Sequence, residues 1–382
     1  MNIALIALPT TGKPVLPPLT LAYVATLLEQ RRHIVRIYDL ALEPEVPITT
    51  ALQPLRSFRP QVVVISGEVP EQISAAVEAL HDDEHSTVLP VQMSRSGLDA
   101  NHVCAGVLQW LERHVPSTPA PASSPAPSGP LDVDQLPLPA RHLLSLERYG
   151  LRAVGGELQT TLLIGAIESG DGRVALRSPT QLVAELRSVS HEFGLRHYLI
   201  TDVPVTLDRA WLVELLTRLC DANLGVGWEA TADPEILDGP LVAHMARAGC
   251  EAVRFQLDAT RVFESTAARD QLRQAVDHLR RHGIFIRATV KLVPPYESIP
   301  YLVDVAATFG LDDVRFDVAK TEAASVGADE SQLREMARQI YDQGRDRQRF
   351  INRFGPALGN LIWKLRGPRS PGAHLDDEGL PV

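Results

Sequence analysis

Apolar residues come as short solid runs alternating with helical stripes, and that alternation repeats along most of the chain. Residues 2–8, "NIALIAL", are the kind of run a buried strand needs, and "LTLAYVATLLEQRRH" sets Leu19, Tyr23, Leu27 and Leu28 on one helical face. "IVRIYDL" alternates as a second strand, and "PQVVVISG" is a short apolar run of the kind found inside a parallel sheet. A helix in "PEQISAAVEALHD", a weaker strand in "STVLPVQ" and a helix in "DANHVCAGVLQWLERHV" follow, the last with Val107, Leu108 and Leu111 on its covering face. This order predicts an open, Rossmann-like α/β sheet over residues 1–115.

The pattern then breaks. From Pro116 to Pro130 the chain reads "PSTPAPASSPAPSGP", without the large apolar residues a core needs, so residues 116–134 are expected to form an extended, semi-rigid linker. Beyond it come "TTLLIGAIE", "LRHYLITD", "VGWEATAD", "EAVRFQLD", "IFIRATVKLV" and "DDVRFDVAK", each followed or preceded by a helical stripe. Strands recurring at about thirty residues predict a partial, TIM-type (β/α)6 barrel over residues 135–325. The remainder, 326–382, reads as an arginine-rich helical extension whose apolar stripe packs on the barrel, with a docking surface as the alternative.

Composition narrows the function. A chain of 382 residues, 45% hydrophobic, is long enough for two cores. Its formal net charge of -10 argues against non-specific nucleic-acid binding, which needs a dense basic surface. "MNIALIALP" is too short for a signal peptide and no run approaches a bilayer span, so a cytoplasmic protein without a transmembrane segment is the expectation. Cys104, Cys220 and Cys250 lie too far apart for a CxxC pair and read as small buried apolar residues.

Several stretches carry more than topology. "LPLPARHLLSLERYGLRAVGGELQTTLL", "LRHYLITDVPVTLDRAWLVELLTRL", "MARAGCEAVRFQLDA" and "KLVPPYES" resemble, in this order, segments of the cobalamin (B12)-binding radical SAM superfamily. "PTTGKPVLPPLTLAYVATLLEQRRHIVRIYD" is similar to its opening. The likeness covers residues 135–320 well and 1–115 more loosely. It implies a cobalamin-binding-like module, a linker and a radical-SAM-like barrel. Carried over position by position, it marks Asp202, Thr206, Glu229, Asp258 and Glu297 as residual SAM-groove candidates, and Gly67 and Glu68 as residual corrin-loop candidates.

The chain departs from the family where the chemistry starts. The family holds three irons of a 4Fe-4S cluster on CxxxCxxC after the first barrel strand, whereas Gly165 to Gly172 offers Glu168, Ser169 and Asp171 and no thiolate. Val203 follows Asp202 where a second aspartate belongs, Gln256 replaces a glycine, and Lys291 and Pro295 disturb a glycine-bearing loop. No Asp-x-His-x-x-Gly motif is present, and His33, His81, His85 and His102 read as exposed surface histidines. The "GGE" of Gly155 to Glu157 reads as a hairpin turn. These departures predict an absent cluster and no retained cofactor, with SAM or cobalamin binding as the residual possibility.

Asp202, Glu229, Asp233, Asp258 and Asp317 fall at or near C-terminal ends of predicted strands, where paired carboxylates would serve acid-base work, although "TLD" and "ADPE" also look like helix starts. There is no G-x-S-x-G, and "TTGK" lacks the spacing of a phosphate loop. The expectation is a catalytically degenerate superfamily member, a pseudoenzyme, serving as scaffold, ligand-binding or regulatory partner of another protein such as an active homologue. An enzyme with rewired, cluster-free chemistry, anchoring SAM or another small molecule on Asp202 and Asp258, is the first alternative. A cobalamin-dependent radical SAM methyltransferase with unusual cluster ligation is the second.

Overall fold

Four parallel strands open the chain: β1 (Asn2–Ala7), β2 (Ile34–Asp39), β3 (Val62–Ser66) and β4 (Thr87–Val91), ordered β2-β1-β3-β4. The computed structural model describes residues 1–9, 15–66, 87–91, 99–114, 133–167, 173–200, 202–258, 265–292, 303–304, 306–318 and 330–366. The central strands β1 and β3 are the solid apolar runs, and Ile3 lies beside both Val35 and Val62 in the ladder. Both faces of such strands are covered. One face packs in a core with α1 (Leu19–Gln30) and the amphipathic helix Ala100–His114; the other packs with Leu52, Leu55 and Phe58, from the short helices α2 (Ile48–Ala51) and α3 (Pro54–Phe58) and the residue between them. Ala100–His114 is α4 here, since the helix expected over "PEQISAAVEALHD" lies outside the described residues, as does the linker up to residue 132.

Contacts divide the chain into two units, Met1–Ala230 and Thr231–Val382. In the first, Val133, expected as the end of the linker, and Leu136, Ala140, Leu163 and Ala166 beyond it share the core of the opening sheet, packing with Leu5, Tyr23 and Leu108. Polar contacts fasten the same wall, with Ala140 N–H donating to Ala22 O at 3.0 Å, Thr26 Oγ1 to Leu138 O at 2.7 Å and Tyr149 Oη to Asp39 Oδ2 at 3.0 Å.

The first unit continues with β5 (Gln159–Leu162), β8 (His197–Ile200) and β9 (Gly227–Thr231), side by side and parallel. Helices α5 (Pro179–Phe193) and α6 (Arg209–Ala222) alternate with them. Ser178 caps α5 through Gln181 N–H and Asp208 caps α6 through Trp211 N–H, so the "TLD" helix start holds. Asp233 of "ADPE" precedes a 3₁₀ turn without a side-chain cap bond. The "GGE" turn also holds: Ala153 N–H donates to Glu157 O and Gly156 N–H to Ala153 O, each at 3.0 Å. "TTLLIGAIE" was expected as one strand, but it breaks after Leu162 and resumes as an antiparallel hairpin, β6 (Gly165–Ile167) with β7 (Val174–Leu176). The break comes where a side chain rather than a neighbouring strand takes the amides of Ile164 and Gly165.

In the second unit β10 (Cys250–Asp258), β11 (Phe285–Leu292) and β12 (Asp313–Val318) run parallel in that order. Helices α7 (Gly239–Arg247) and α8 (Thr266–Arg281) supply apolar stripes, Leu241, Val242 and Met245 in one and Leu272, Ala275, Val276 and Leu279 in the other. The tail is helical as α9 (Glu330–Phe354) and α10 (Pro356–Arg366). Tyr341 of α9 meets Phe316 edge-on and donates to Leu311 O at 3.2 Å, and Arg338 donates to Val314 O at 2.6 Å. Among the described residues no helix is long and apolar enough to cross a membrane.

Candidate functional site

The C-terminal ends of β5, β8 and β9 carry the polar centre of the first unit. Asp202, two residues past β8, turns back so that Oδ2 accepts the N–H groups of Ile164 at 2.8 Å and Gly165 at 2.7 Å. Its Oδ1 is buried and meets no hydrogen-bond partner among the described residues. Burial pushes this carboxyl up to about 6, against the pull of the Gly165, Ile164, Asp202 and Val203 amides, so its charge changes near neutral pH. Gly165 is required for the approach: a Cβ there would sit 2.9 Å from Val174 Cγ1 and 3.2 Å from Val203 Cγ2. Val203, which stands for the family's second aspartate, is thus a buried wall of this turn.

Thr206 and Glu229 lie in the same unit. Thr206 is buried in the 3₁₀ turn before α6, and Glu229, 2% exposed, sits on β9 opposite Leu199 of β8. Strand alternation puts Glu229 on the face away from Trp228 and Ala230. The helix-covered side of these strands, lined by Leu162, Leu186, Tyr198, Ile200, Leu212 and Trp228, leaves a gap of about 10 Å³, too small for a ligand. A molecule held on these three strands would therefore lie on the Glu229 side. Asp258 closes β10 in the second unit, half-buried beside Lys291 in the ladder, and Asp317 is exposed and paired with Arg334 at 2.8 Å. Glu297, Gly67, Glu68 and the segment Glu168–Gly172 lie outside the described residues.

Sequence reasoning missed the most heavily bonded group in the first unit. Arg141, Arg177 and Glu185 are 2%, 0% and 0% exposed. Arg177 Nη1 donates to Glu185 Oε2 at 2.6 Å, Leu163 O at 3.1 Å and Tyr23 Oη at 3.1 Å. Arg141 Nη2 donates to Glu185 Oε1 and to Thr161 O, each at 2.8 Å. Burial alone would raise the Glu185 carboxyl, but the Arg177 and Arg141 guanidiniums outweigh it and hold it below the ordinary range. Burial, then the Glu185 charge, pushes the Tyr23 hydroxyl well up. The cluster ties α1, β5 and α5 to the residues that lead into Gly165. One signal was available: Glu185 falls between Leu182, Leu186 and Val189 on the buried stripe of α5.

Two details correct the histidine and cysteine expectations. His33 is buried, not a surface residue, and burial lowers its pKa. Cys104 and Cys250 are buried as expected, whereas Cys220 is exposed on α6.

A parallel Rossmann-like layer followed by parallel β/α units is the fold of cobalamin-dependent radical SAM enzymes. The radical SAM methyltransferase TsrM from Kitasatospora setae, solved with cobalamin and a 4Fe-4S cluster bound, matches with a TM-score of 0.59 at 14% identity over 83% of this chain and 74% of its own. The cobalamin-dependent enzyme OxsB, solved with aqua-cobalamin and S-adenosylmethionine bound, matches with a TM-score of 0.55 at 11% identity over 92% of this chain and 56% of its own. An uncharacterized methyltransferase from Pyrococcus horikoshii is 20% identical over 312 residues, 71% of this chain; the chain spans 66% of that relative's length, just under two thirds. No family model matches.

These likenesses show the fold that the resemblance implied, and they give the scaffold reading and the degeneracy no support. They also correct the cofactor expectation. Structures of this fold hold cobalamin, a 4Fe-4S cluster and SAM, so an absent cluster and lost cofactors do not stand as conclusions. The donor set itself is narrower than a cluster asks for. The three cysteines sit on α4, on α6 and at the start of β10, and among the described residues no three His, Cys, Asp or Glu side chains are grouped to hold a metal.

Proposed function

We propose that this chain is a SAM-binding, methyltransferase-like protein, with the sulfonium cosubstrate held along the ends of β5, β8 and β9. The observation that carries the reading is Asp202. It spends one carboxylate oxygen on two amides, while the other, buried beside Gly165, has only the nearby Asp202 and Val203 amides and no well-formed hydrogen bond, an arrangement that a ligand donor would improve. The α-ammonium or a ribose hydroxyl of SAM is such a donor, and Glu229 is a buried carboxylate on the neighbouring strand. Two solved neighbours support the ligand class, OxsB with SAM bound and TsrM with the SAM analogue aza-SAM bound.

Isothermal calorimetry on anaerobically purified protein, titrated with SAM, S-adenosylhomocysteine and cobalamin, tests it. The expected result is saturable SAM binding that Asp202→Asn and Glu229→Gln each weaken at least tenfold. Absence of SAM binding by the wild-type chain overturns the reading.

A further inference from the structure

The chain between β5 and β6 leaves its strand ladder without losing its backbone bonds. The pairing of β5 with β8 ends at Leu162 opposite Ile200, so Leu163 and Ile164, both fully buried, need other partners for their peptide groups. Two residues supply them. The peptide joining Leu163 to Ile164 has its carbonyl on Arg177 Nη1 at 3.1 Å and its N–H on Asp202 Oδ2 at 2.8 Å. The next peptide repeats the arrangement, with Ile164 O accepting the Arg177 backbone N–H at 2.8 Å and Gly165 N–H donating to the same Asp202 oxygen at 2.7 Å. Each peptide is held by Arg177 at one end and by Asp202 at the other.

Arg177 is itself fixed. Its Nη1 donates to Glu185 Oε2 at 2.6 Å, and its carbonyl accepts from Trp211 Nε1 at 2.7 Å. Its Nε and Nη2 are buried without a hydrogen-bond partner among the described residues, a cost that an apolar side chain would avoid. Packing alone does not call for an arginine here. Burial apart, the charges of Glu185, Arg177, Arg141 and Asp202 all act on the Tyr23 hydroxyl, so the buried cluster and Asp202 lie within electrostatic reach of one side chain.

We propose that Arg177 is a positioning residue for the SAM site: by anchoring the carbonyls of this turn it converges two N–H groups on one oxygen of Asp202 and keeps the other oxygen for the ligand. The inference rests on the SAM reading for what is bound, but the clamp is also tested without SAM. A substitution at position 177 retains the backbone N–H and removes the side-chain bond to Leu163 O. The Leu163–Ile164 peptide is then free to turn, and a carboxylate that loses an amide is harder to ionise.

Calorimetry with SAM, beside urea unfolding followed from about pH 4 to 8, tests this on the wild-type chain, Arg177→Met, Arg177→Lys and Tyr23→Phe. Arg177→Met is expected to weaken SAM binding about tenfold and to move the pH midpoint of the Asp202 transition up by about one unit. Arg177→Lys, whose ammonium still donates to Leu163 O, should recover affinity to within about threefold of the wild type. Tyr23→Phe loosens the cluster without touching the turn and should change neither reading. Where Arg177→Met fails to fold, Arg177→Lys carries the test, with that threefold loss and a smaller upward shift expected. Affinity or midpoint unchanged in the variant that carries the test overturns the proposal. An equal loss of affinity in Tyr23→Phe also overturns it, because general loosening would then be the cause. A wild-type chain that binds no SAM removes the earlier reading; a shifted midpoint then still supports the clamp, and an unshifted one overturns it.

Discussion

Two groups of charges in this protein are handled in opposite ways. Arg141, Glu185 and Arg177 are shut inside the first unit, bonded to one another, to Tyr23 and to backbone carbonyls. Arg254, Arg287 and Arg315 share a sheet face in the second unit, the first two half-buried and Arg315 exposed. A buried cluster has left water and must be satisfied internally, so its members act on the fold. A charge left at the surface keeps its solvent, so its removal costs the fold little. The comparison predicts that stability responds strongly to substitutions in the first group and weakly to those at exposed positions of the second.

The largest effect belongs to Glu185. Glu185→Leu removes the carboxylate that both guanidiniums share and leaves two buried cations unpaired, so a loss of about 3–5 kcal/mol or outright failure to fold is expected in urea unfolding. Replacing Arg141 and Arg177 with Met in the same chain should recover much of that loss. If Glu185→Leu alone is tolerated, the buried cluster is not what holds the first unit together.

Asp202 should give the next effect, read against pH. Its folded-state carboxyl is raised from an ordinary 3.8 to about 6, so between those values the folded chain holds a proton that the unfolded chain releases. The contribution of Asp202 to stability is therefore greatest below about pH 4, falls as pH rises to about 6 and is level above, a change of roughly 3 kcal/mol. Asp202→Asn removes the charge and should flatten that stretch of the curve while weakening SAM binding. An unchanged slope in the variant would show that another group titrates there.

Gly165→Ala brings a methyl to 2.9 Å from Val174 and should cost about 1–3 kcal/mol, with Val174→Ala restoring part of it. Full stability in Gly165→Ala would mean that the Asp202 turn has slack the packing does not show.

How much of this was legible depended on range. Leu19 to Gln30 and Arg209 to Ala222 were readable because their stripes repeat every turn and Asp208 marks one start. The solid run Val62–Ser66 was readable because a strand buried on both faces has no polar positions. The break at Leu163 was not, since it is caused by Asp202, 37 residues from Gly165, and local pattern cannot show a side chain returning over that distance. Arg141 and Arg177 were equally silent: each looks like an ordinary surface arginine until the fold sets Glu185 between them. Asp202, Thr206 and Glu229 share one unit, whereas Asp258 belongs to the other, a division the even spacing of strands concealed.

Tyr23→Phe sharpens the same contrast at smaller scale. It removes one hydroxyl from Arg177 while Glu185 and Leu163 O still hold the guanidinium, so a loss of about 1–2 kcal/mol of stability and little change in the SAM titration are expected.

The smallest effect on stability should come from Arg315→Gln, and it is the most direct test of the comparison. The side chain is exposed, and a surface substitution of this kind ordinarily changes stability by less than about 0.5 kcal/mol. The unfolding curve should overlay that of the wild type. A marked drop in stability would reverse the comparison. Arg315 would then be a strut between β11 and β12, and the exposed charge would be doing the same work as the buried ones.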